Sequence, residues 1–374
     1  MTTDIHHPEG ATSAGAPRLI GLDVTRAIAL IGVVMMNYHG FLNDPATGNG
    51  RWSRFFHVFT GPLSTRFAAT FVLVAGIGTA LLAAGTLNKM PGTSHGTLRL
   101  RLARRGTVLI VGGYFLNMAW PGTILFFYGA YFLLSALIIT LRTRYIAVVG
   151  ALSATAAVAL ALWESSRRSA GHSTAWLHPY EIHSAQDLLC RIFLSYTHPV
   201  FPWFAFFCTG IILGRNLRNL RHFRIQLTVV CVTILICTYG LATILNSTGQ
   251  RDNRVIFVLT AMDPFSRGLF YILSTASIAL LAFLIINQMA EKYSTSKLVM
   301  TLRRSGQMTL TLYLAHVLVF YILVKWSDLI GATGLDTSLT FAVCFWIFGI
   351  SATSLWHHHF GRGPIERLYR LIGG

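Results

Sequence analysis

Long blocks of apolar residues recur along the chain and are separated by short polar segments. A helix that crosses the hydrocarbon core of a bilayer needs about 20 mainly apolar residues. Ten blocks are candidates for such helices, with bounds good to about three residues: 20–40, 65–86, 105–119, 123–141, 145–163, 199–214, 224–246, 267–288, 308–325 and 338–357. A transmembrane barrel would show short alternating segments instead. The pattern therefore predicts an all-α, polytopic integral membrane protein.

The composition supports the same class of protein. Hydrophobic residues make up 53% of the 374 residues and charged residues only 11%, whereas soluble domains carry about 25% charged residues. A chain with this many apolar and this few charged residues is not intrinsically disordered. Five Cys are too few for a disulfide-rich secreted scaffold. We expect a multi-pass protein of the plasma or inner membrane, in contact with the lipid bilayer.

The predicted spans leave room for one membrane domain and no large soluble one. Residues 1–17 are polar and predict a mobile N-terminal tail, and residues 18–374 form a single transmembrane domain. The first span imitates a signal peptide, because Arg26 precedes the short apolar run 27–36. No A-x-A-like cleavage site follows that run, so we expect the span to be retained.

Lys and Arg in the loops indicate the orientation in the membrane. With the N-terminus inside, the inner segments hold 20 of the 30 Lys and Arg, and the outer segments hold eight of the 13 acidic residues. Both termini are therefore predicted to be cytoplasmic. The net charge of +17 then belongs to loops on one side of a bilayer, and we expect no nucleic-acid partner. Two outer loops are long; one contains an amphipathic segment, 51–57, that is typical of a membrane interface, and the other an apolar stretch, 188–196.

Polar residues inside predicted spans are informative because each costs about 2.5–3.5 kcal/mol at mid-helix on insertion scales. At 100° per residue, Asp23, Arg26 and Asn37 share one face of the first span, with Arg26 and Asn37 about 16 Å apart along its axis. In the ninth span, Tyr313 and His316 share a face with Thr309 in the same way. Two interpretations stay open for these residues: structural polar contacts between helices, or the lining of a pathway.

Other reactive residues carry weaker signals. His57 alone is an ordinary interfacial histidine, and His198, before Pro199, could face the same outer vestibule. The run His357–His359 lies on a predicted helix, where consecutive side chains point 100° apart, so we expect no metal site. The sequence contains no C-x-x-C, no phosphate-binding loop, no dinucleotide fingerprint and no G-x-S-x-G elbow.

Four stretches in the right order resemble bacterial YeiB-like membrane proteins: Arg18-x4-Asp23-x2-Arg26-Ala-x-Ala-Leu-x-Gly32-x4-Asn37, Arg104-Arg105 through Trp120-Pro-Gly to Tyr128-Gly129, Gly306-Gln-Met-Thr-Leu-Thr-Leu-Tyr313-Leu-Ala-His316, and Gly363-Pro-Ile-Glu366-Arg-Leu-Tyr-Arg370. The first of these also resembles the opening of the heparan-α-glucosaminide N-acetyltransferase family. The resemblance implies a transmembrane enzyme that moves an acetyl or short acyl group from cytoplasmic acetyl-CoA to an amine on the far side of the membrane.

The resemblance also implies site residues. In the N-acetyltransferase family an Asn at the outer end of the first span and a His in the next loop form the active site. Asn37 matches the first by motif, and His57 matches the second by position. Inner arginines would bind the CoA phosphates, and the polar faces would line the path of the pantetheine arm. The donor-binding candidates are Asp23, Arg26, Arg104, Arg105, Tyr313 and His316, with no metal.

The chain departs from its relatives at two places. The membrane O-acyltransferase family has a related opening but places a His where Asn37 stands, which favours the N-acetyltransferase side. YeiB-like proteins usually have an Asp at the position of Thr123, so a role for that acid does not carry over to this chain.

Three functions stay open at this stage. The first is an acyltransferase that acts on an extracytoplasmic amino sugar, glycan or other small acceptor, as a monomer or a homodimer. The second is a secondary transporter or a lipid or small-molecule flippase, which paired Gly or Pro breaks in the helices would favour. The third is a scaffold or sensor without chemistry, which would tolerate loss of Asn37 and His57.

Overall fold

The computed structural model describes residues 20–42, 50–89, 94–179, 181–250, 253–331 and 333–374. The predicted tail, 1–17, and the motif residue Arg18 lie outside these ranges. Within them the chain is all-helical and contains no strand, which confirms the predicted fold class.

The described residues form 15 α-helices, which we number in chain order: α1 Ile20–Leu42, α2 Arg51–Phe55, α3 Arg66–Lys89, α4 His95–Ala119, α5 Ile124–Ile138, α6 Thr143–Ser169, α7 Ala185–Phe193, α8 Val200–Arg215, α9 Leu220–Ser247, α10 Arg254–Thr260, α11 Leu269–Lys292, α12 Lys297–Gly306, α13 Thr309–Phe320, α14 Leu335–Phe360 and α15 Pro364–Gly373. A π-helical turn, Tyr321–Trp326, continues α13.

Each of the ten predicted spans coincides with one of these helices. In the described ranges seven helices are long and apolar enough to cross a membrane: α1, α3, α6, α9, α11, α13 with its π-helical turn, and α14. The apolar helices α5 and α8 are shorter, and α4 is not among the seven. The multi-pass architecture is therefore supported, while the number of ten spans and the cytoplasmic termini remain predictions.

The short helices lie between the long ones. The two segments that the sequence marked in the outer loops form α2 and α7. At the other end of the chain, α15 is strongly amphipathic and packs against α4 and α13. Helix α7 contacts α5 and α8, so both α7 and α15 pack against longer helices.

Helix α1 lies at the centre of the bundle. It packs against α3, α11, α12, α13 and α14, and 67% of its apolar window is buried inside the protein, compared with 11% for α9. A lipid-facing helix needs no polar residues, whereas a central helix can carry them if protein groups satisfy them. The central position of α1 explains how this helix tolerates Asp23, Arg26 and Asn37.

Helices α3 and α8 cross in close contact at Gly76 and Gly210. A Cβ atom on Gly210 would lie 2.0 Å from the backbone oxygen of Leu73, and one on Gly76 would lie 2.1 Å from the backbone oxygen of Phe207. Such an approach is possible only without a side chain, and small residues are the usual means of close helix packing in membranes.

Replacing Gly210 with Ala should destabilise the bundle, because α8 must move away from α3 to admit the methyl group. We expect a loss of about 1–3 kcal/mol, the usual cost of overpacking, and a lower melting temperature in detergent. Gly240→Ala is the matched control, because open space surrounds Gly240 on α9. A Gly210→Ala protein that melts like the Gly240→Ala protein would contradict the close crossing.

Candidate active site

Asn37 on α1 and His316 on α13, which were predicted to lie on separate spans, meet inside the bundle. The side-chain Nδ2 of Asn37 lies 3.2 Å from Nε2 of His316. His316 is fully buried, whereas Asn37 is half-buried. The hydroxyl of Tyr38 donates a hydrogen bond of 2.8 Å to the backbone oxygen of His316. Helices α1 and α13 are thus joined by two polar contacts at the level of Asn37.

The contacts of His316 define which of its ring nitrogens carries the proton. Its Nδ1 contacts the backbone oxygen of Tyr313, and a carbonyl oxygen can only accept. Nδ1 is therefore protonated, and Nε2 accepts a hydrogen bond from the Asn37 amide. Among the described residues this is the one side-chain hydrogen bond of Asn37, so its carbonyl oxygen and second N–H are available to a ligand.

Tyr313 links the pair to the start of α5. Its hydroxyl lies 3.1 Å from Oγ1 of Thr123 and accepts a hydrogen bond of 3.1 Å from the backbone N–H of Ile124. Thr123 is fully buried and caps α5 by accepting from the N–H of Leu125. Thr123 therefore serves as a neutral partner of Tyr313.

A cavity of about 620 Å³ opens next to Asn37, and we call it the Asn37 cavity. Aromatic side chains form much of its wall, and most of its polar members come from loops, apart from Asn37 on α1 and Tyr313 on α13. The lining includes Asn37, Phe59, Thr65, Trp120, Ile124, His178, Tyr196, Thr197, His198, Phe265, Arg267 and Tyr313. The volume lies within the range of about 300–1,000 Å³ that is usual for small-molecule sites.

A second cavity, of about 240 Å³, lies toward the start of α1, and we call it the Arg26 cavity. Its polar lining is basic, and α15 contributes residues from the C-terminus. The lining includes Arg26, Gly78, Thr79, Arg105, Ile124, Gln307, Tyr313, Glu366, Tyr369 and Arg370.

Ile124 and Tyr313 line both cavities. The hydroxyl of Tyr313 is held by the start of α5, so this residue separates the two spaces next to the Asn37–His316 pair. On α1, Arg26 lines one cavity and Asn37 lines the other. The polar face of α1 therefore follows a line from one cavity to the other, as a lined pathway requires.

Asp23 supports Arg26 from one turn earlier on α1. The carboxylate of Asp23 is buried and lies 3.6 Å from the Arg26 guanidinium. Its other oxygen accepts a hydrogen bond of 2.9 Å from the Gln307 side chain. On the opposite side, Gly78 leaves room for the guanidinium, because a Cβ there would lie 2.4 Å from an Arg26 nitrogen. Asp23 thus orients Arg26 and does not itself line either cavity.

Arg105 and Arg104 lie in different environments although they are neighbours in the chain. Arg105 lines the Arg26 cavity, donates a hydrogen bond of 2.9 Å to the backbone oxygen of Gly374, and lies over the ring of Tyr369. Arg104 is exposed and lies outside the lining of both cavities. Of the two candidates, the structure brings only Arg105 together with Arg26.

A carboxylate from α15 holds the start of α13 in place. Glu366 accepts hydrogen bonds from the backbone N–H groups of Leu310, at 2.7 Å, and Thr311, at 3.1 Å. It also contacts the Thr311 hydroxyl. Free N–H groups and the helix dipole make a carboxylate favourable at this position. The C-terminal helix therefore fixes the helix that carries Tyr313 and His316.

His57 lies in the loop that borders the Asn37 cavity, but it is not part of the cavity wall. Its Nδ1 accepts hydrogen bonds from the backbone N–H groups of Phe59, at 3.3 Å, and Thr60, at 3.1 Å. These contacts occupy the ring's lone pair, so neutral His57 presents Nε2 as a donor. The structure does not bring His57 into contact with Asn37 or His316.

The structure adds site residues that the sequence did not single out. His178 and Arg267 line the Asn37 cavity, although each looks like an ordinary residue of an outer loop. His198, expected to face the vestibule, is also a lining residue. In the described ranges no group of three or more His, Cys, Asp or Glu side chains is close enough to hold a metal ion.

A fold with several helices long and apolar enough to cross a membrane, and with the polar Asn37–His316 pair beside two cavities, is that of a multi-pass membrane protein. Comparison with known families identifies which one. The model described as the catalytic region of heparan-alpha-glucosaminide N-acetyltransferase matches residues 18–245, and a model described as a protein of unknown function, DUF418, matches residues 211–372. Among curated proteins none matches the chain.

Because the first match covers more than half of the chain, the protein belongs to the heparan-alpha-glucosaminide N-acetyltransferase family, a family of transmembrane acetyltransferases. Together the two matches confirm the resemblance to YeiB-like proteins and their N-acetyltransferase relatives. The matched regions include α1, with Asn37, in the first and α13, with His316, in the second.

Proposed function

We propose that the protein transfers an acetyl or short acyl group from acetyl-CoA on the cytoplasmic side to an extracytoplasmic amino sugar, glycan or other small acceptor. The observation that carries this proposal is the pair of cavities that share Tyr313 and Ile124 beside Asn37 and His316. Two reactants that approach from opposite sides could meet where the two cavities adjoin, beside Tyr313.

The Arg26 cavity suits the donor. With the predicted orientation it faces the cytoplasm, and its arginines Arg26, Arg105 and Arg370 favour phosphate groups. Its volume of about 240 Å³ is below the usual range for a whole drug-sized ligand. We therefore assign it to the acyl-phosphopantetheine end of the donor, whose phosphate the arginines would bind, with the nucleotide held nearer the basic surface of α15.

The Asn37 amide suits the reaction centre. In the proposed step the acceptor nitrogen attacks the thioester carbonyl, the carbonyl oxygen becomes negative, and the C–S bond then breaks to release the CoA thiol. The free N–H of Asn37 would donate to that oxygen, an interaction typically worth about 3–4 kcal/mol in acyl transfer. His316 holds the amide in one orientation and lowers the cost of organising it.

The acceptor nitrogen must lose a proton, and the candidate histidines in or beside the Asn37 cavity are His57, His178 and His198. Nε2 of His178 already contacts the Glu164 carboxylate at 2.6 Å. His198 lines the Asn37 cavity, but burial lowers its pKa to about 3, which makes it a poor base near neutral pH. We therefore keep His57 in this role. For His57 to act as the base, binding of the acceptor must release its Nδ1 from the backbone N–H groups of Phe59 and Thr60.

The test is a sided transfer assay in proteoliposomes. Acetyl-CoA is supplied on one side of the vesicle and glucosamine on the other, and N-acetylglucosamine is measured over time. Transfer across the vesicle supports the proposal. A folded, monodisperse protein that neither transfers acetyl groups nor binds acetyl-CoA would contradict it and would favour a transporter.

The donor site makes a separate prediction for binding. Arg26→Gln and Arg105→Gln should each weaken acetyl-CoA binding about tenfold or more, since a charge-assisted hydrogen bond contributes about 1.5–3 kcal/mol. Arg104→Gln is the matched control, because Arg104 is adjacent in sequence but exposed. Calorimetry with acetyl-CoA and with free CoA measures the effect. Equal losses in all three variants would contradict a site at the Arg26 cavity.

A further inference from the structure

The wall of the Asn37 cavity contains a buried arginine that the proposed chemistry does not use. Arg267, between α10 and α11, is only 9% exposed and lines the cavity. Its backbone has a φ of +54°, a conformation that is uncommon for residues other than glycine and costs of the order of 1 kcal/mol or more. The loop thus accepts an unfavourable backbone geometry at the residue that places a guanidinium in the cavity wall.

The guanidinium of Arg267 has few partners in the described part of the chain. Its Nη2 donates a hydrogen bond of 3.2 Å to the backbone oxygen of Tyr196, and no described carboxylate lies within 4 Å of it. A guanidinium has five N–H donors, and a buried charge is costly unless it is paired. Burial lowers the pKa of Arg267 to about 10, so the group stays charged at neutral pH.

The surroundings of Arg267 do not supply the missing negative charge. Glu164 is the carboxylate that acts on it electrostatically, but Glu164 already contacts Arg168 and lies 2.6 Å from Nε2 of His178. A second buried cation, Arg66, lies over the ring of Tyr271, and its Nε has no hydrogen-bond partner in the described ranges. The carboxylate that acts on Arg267 is thus already in contact with two other side chains.

The rest of the cavity wall fits a sugar ring. Phe59, Trp120, Tyr196 and Phe265 provide flat apolar surfaces, while Asn37 provides a polar group at the reaction centre. A ligand that stacks on these rings and extends toward Arg267 would bring an anionic group to a guanidinium that has no described carboxylate within 4 Å. The planar donor fork of arginine matches carboxylate and phosphate oxygens in pairs.

We infer that Arg267 binds an anionic group of the acceptor, so that the acceptor is an acidic amino sugar with a carboxylate or a phosphate. This inference rests on the proposed function for the identity of the acceptor as an amino sugar. In this arrangement Arg267 and the aromatic rings of the cavity wall select the acceptor, whereas Asn37, oriented by His316, acts on the carbonyl of the acyl donor.

The test is direct binding of three amino sugars to the full-length protein in nanodiscs, without acetyl-CoA. The probes are glucosamine, glucosamine 6-phosphate and 2-amino-2-deoxyglucuronate, each titrated by calorimetry. We expect at least one of the two acidic sugars to bind about 10- to 100-fold more tightly than glucosamine, as expected for a charge-assisted pair. In Arg267→Gln the acidic sugars should lose this advantage and bind no better than glucosamine.

Two further variants make the result interpretable. Arg254→Gln removes an exposed arginine of the same outer region and should keep the preference. Arg267→Lys keeps the charge without the fork and should keep part of it. Equal binding of acidic and neutral sugars by the parent protein, or an equal loss of all three in Arg267→Gln, would overturn the inference. Because the titration needs no donor, absence of acetyl-CoA binding would instead count against the proposed function.

Discussion

Replacing Asn37 with Ala is expected to lower the rate of acyl transfer about 10²- to 10³-fold, the range seen when one oxyanion donor is removed from an acyl-transfer enzyme. The amide is the group on α1 that faces the Asn37 cavity and is held by His316. The rate loss should appear in kcat, because the interaction forms as negative charge develops on the carbonyl oxygen.

Donor binding separates this role from a structural one. Asn37 is not part of the wall of the Arg26 cavity, so Asn37→Ala should bind acetyl-CoA as tightly as the parent protein. Asn37→Asp keeps the shape but replaces the donor with a negative group, and it should be at least as slow. The control is Asn216→Ala, since Asn216 bonds only within its own helix end, through the oxygen of Ile212. If Asn37→Ala transferred acetyl groups at the parent rate, the amide would have no part in catalysis.

The positions of the helices could be predicted because a bilayer imposes a simple requirement. Every spanning segment must be apolar and satisfy its own backbone hydrogen bonds, and both properties can be seen in the sequence. All ten predicted blocks lie on helices, and seven of those helices are long and apolar enough to span, although α4 begins at His95, well before the predicted 105. The π-helical turn after α13 and the docking of α15 could not be predicted, because they depend on contacts between distant segments. The contact of Glu366 with Leu310 and Thr311 is one example.

The sequence indicated candidate residues for the site, but it did not indicate how they are arranged in space. Helical periodicity placed Arg26 and Asn37 on one face of α1, and the structure places them on two cavities along that helix. The same periodicity could not show that Asn37 meets His316, because that contact joins residues 279 positions apart. The Asn37–His316 contact depends on how α13 packs against α1, and the pattern of polar residues along each helix does not indicate that packing.

Arg267 could not be recognised as a candidate site residue from the sequence, for a different reason. In the chain it is one of ten Lys or Arg in predicted outer segments, and nothing in its neighbours distinguishes it from Arg254. Its importance comes from burial without a nearby carboxylate, which only the packed structure reveals. The positive-inside rule explains where arginines are frequent, but it cannot identify a buried arginine that lacks a nearby carboxylate in the described part of the chain.

Replacing His316 with Leu should lower the transfer rate about 10²-fold, even though His316 lines neither cavity. The leucine cannot accept the hydrogen bond from Asn37, so the Asn37 amide is free to rotate. Its N–H group is then no longer oriented toward the carbonyl oxygen before the reaction. His316→Gln should recover part of the rate, because the side-chain oxygen of glutamine can accept from the Asn37 amide.

The double variant tests whether the two residues act as one unit. If His316 acts only by orienting Asn37, then Asn37→Ala with His316→Leu should be no slower than Asn37→Ala alone, since the group to be oriented is already absent. Independent roles would multiply the two losses, and that outcome would contradict the assignment. The control is His39→Gln, a buried histidine on another face of α1 whose ring contacts Ser338. It should transfer near the parent rate, which would show that loss of a buried histidine in this bundle is not by itself sufficient to stop the reaction.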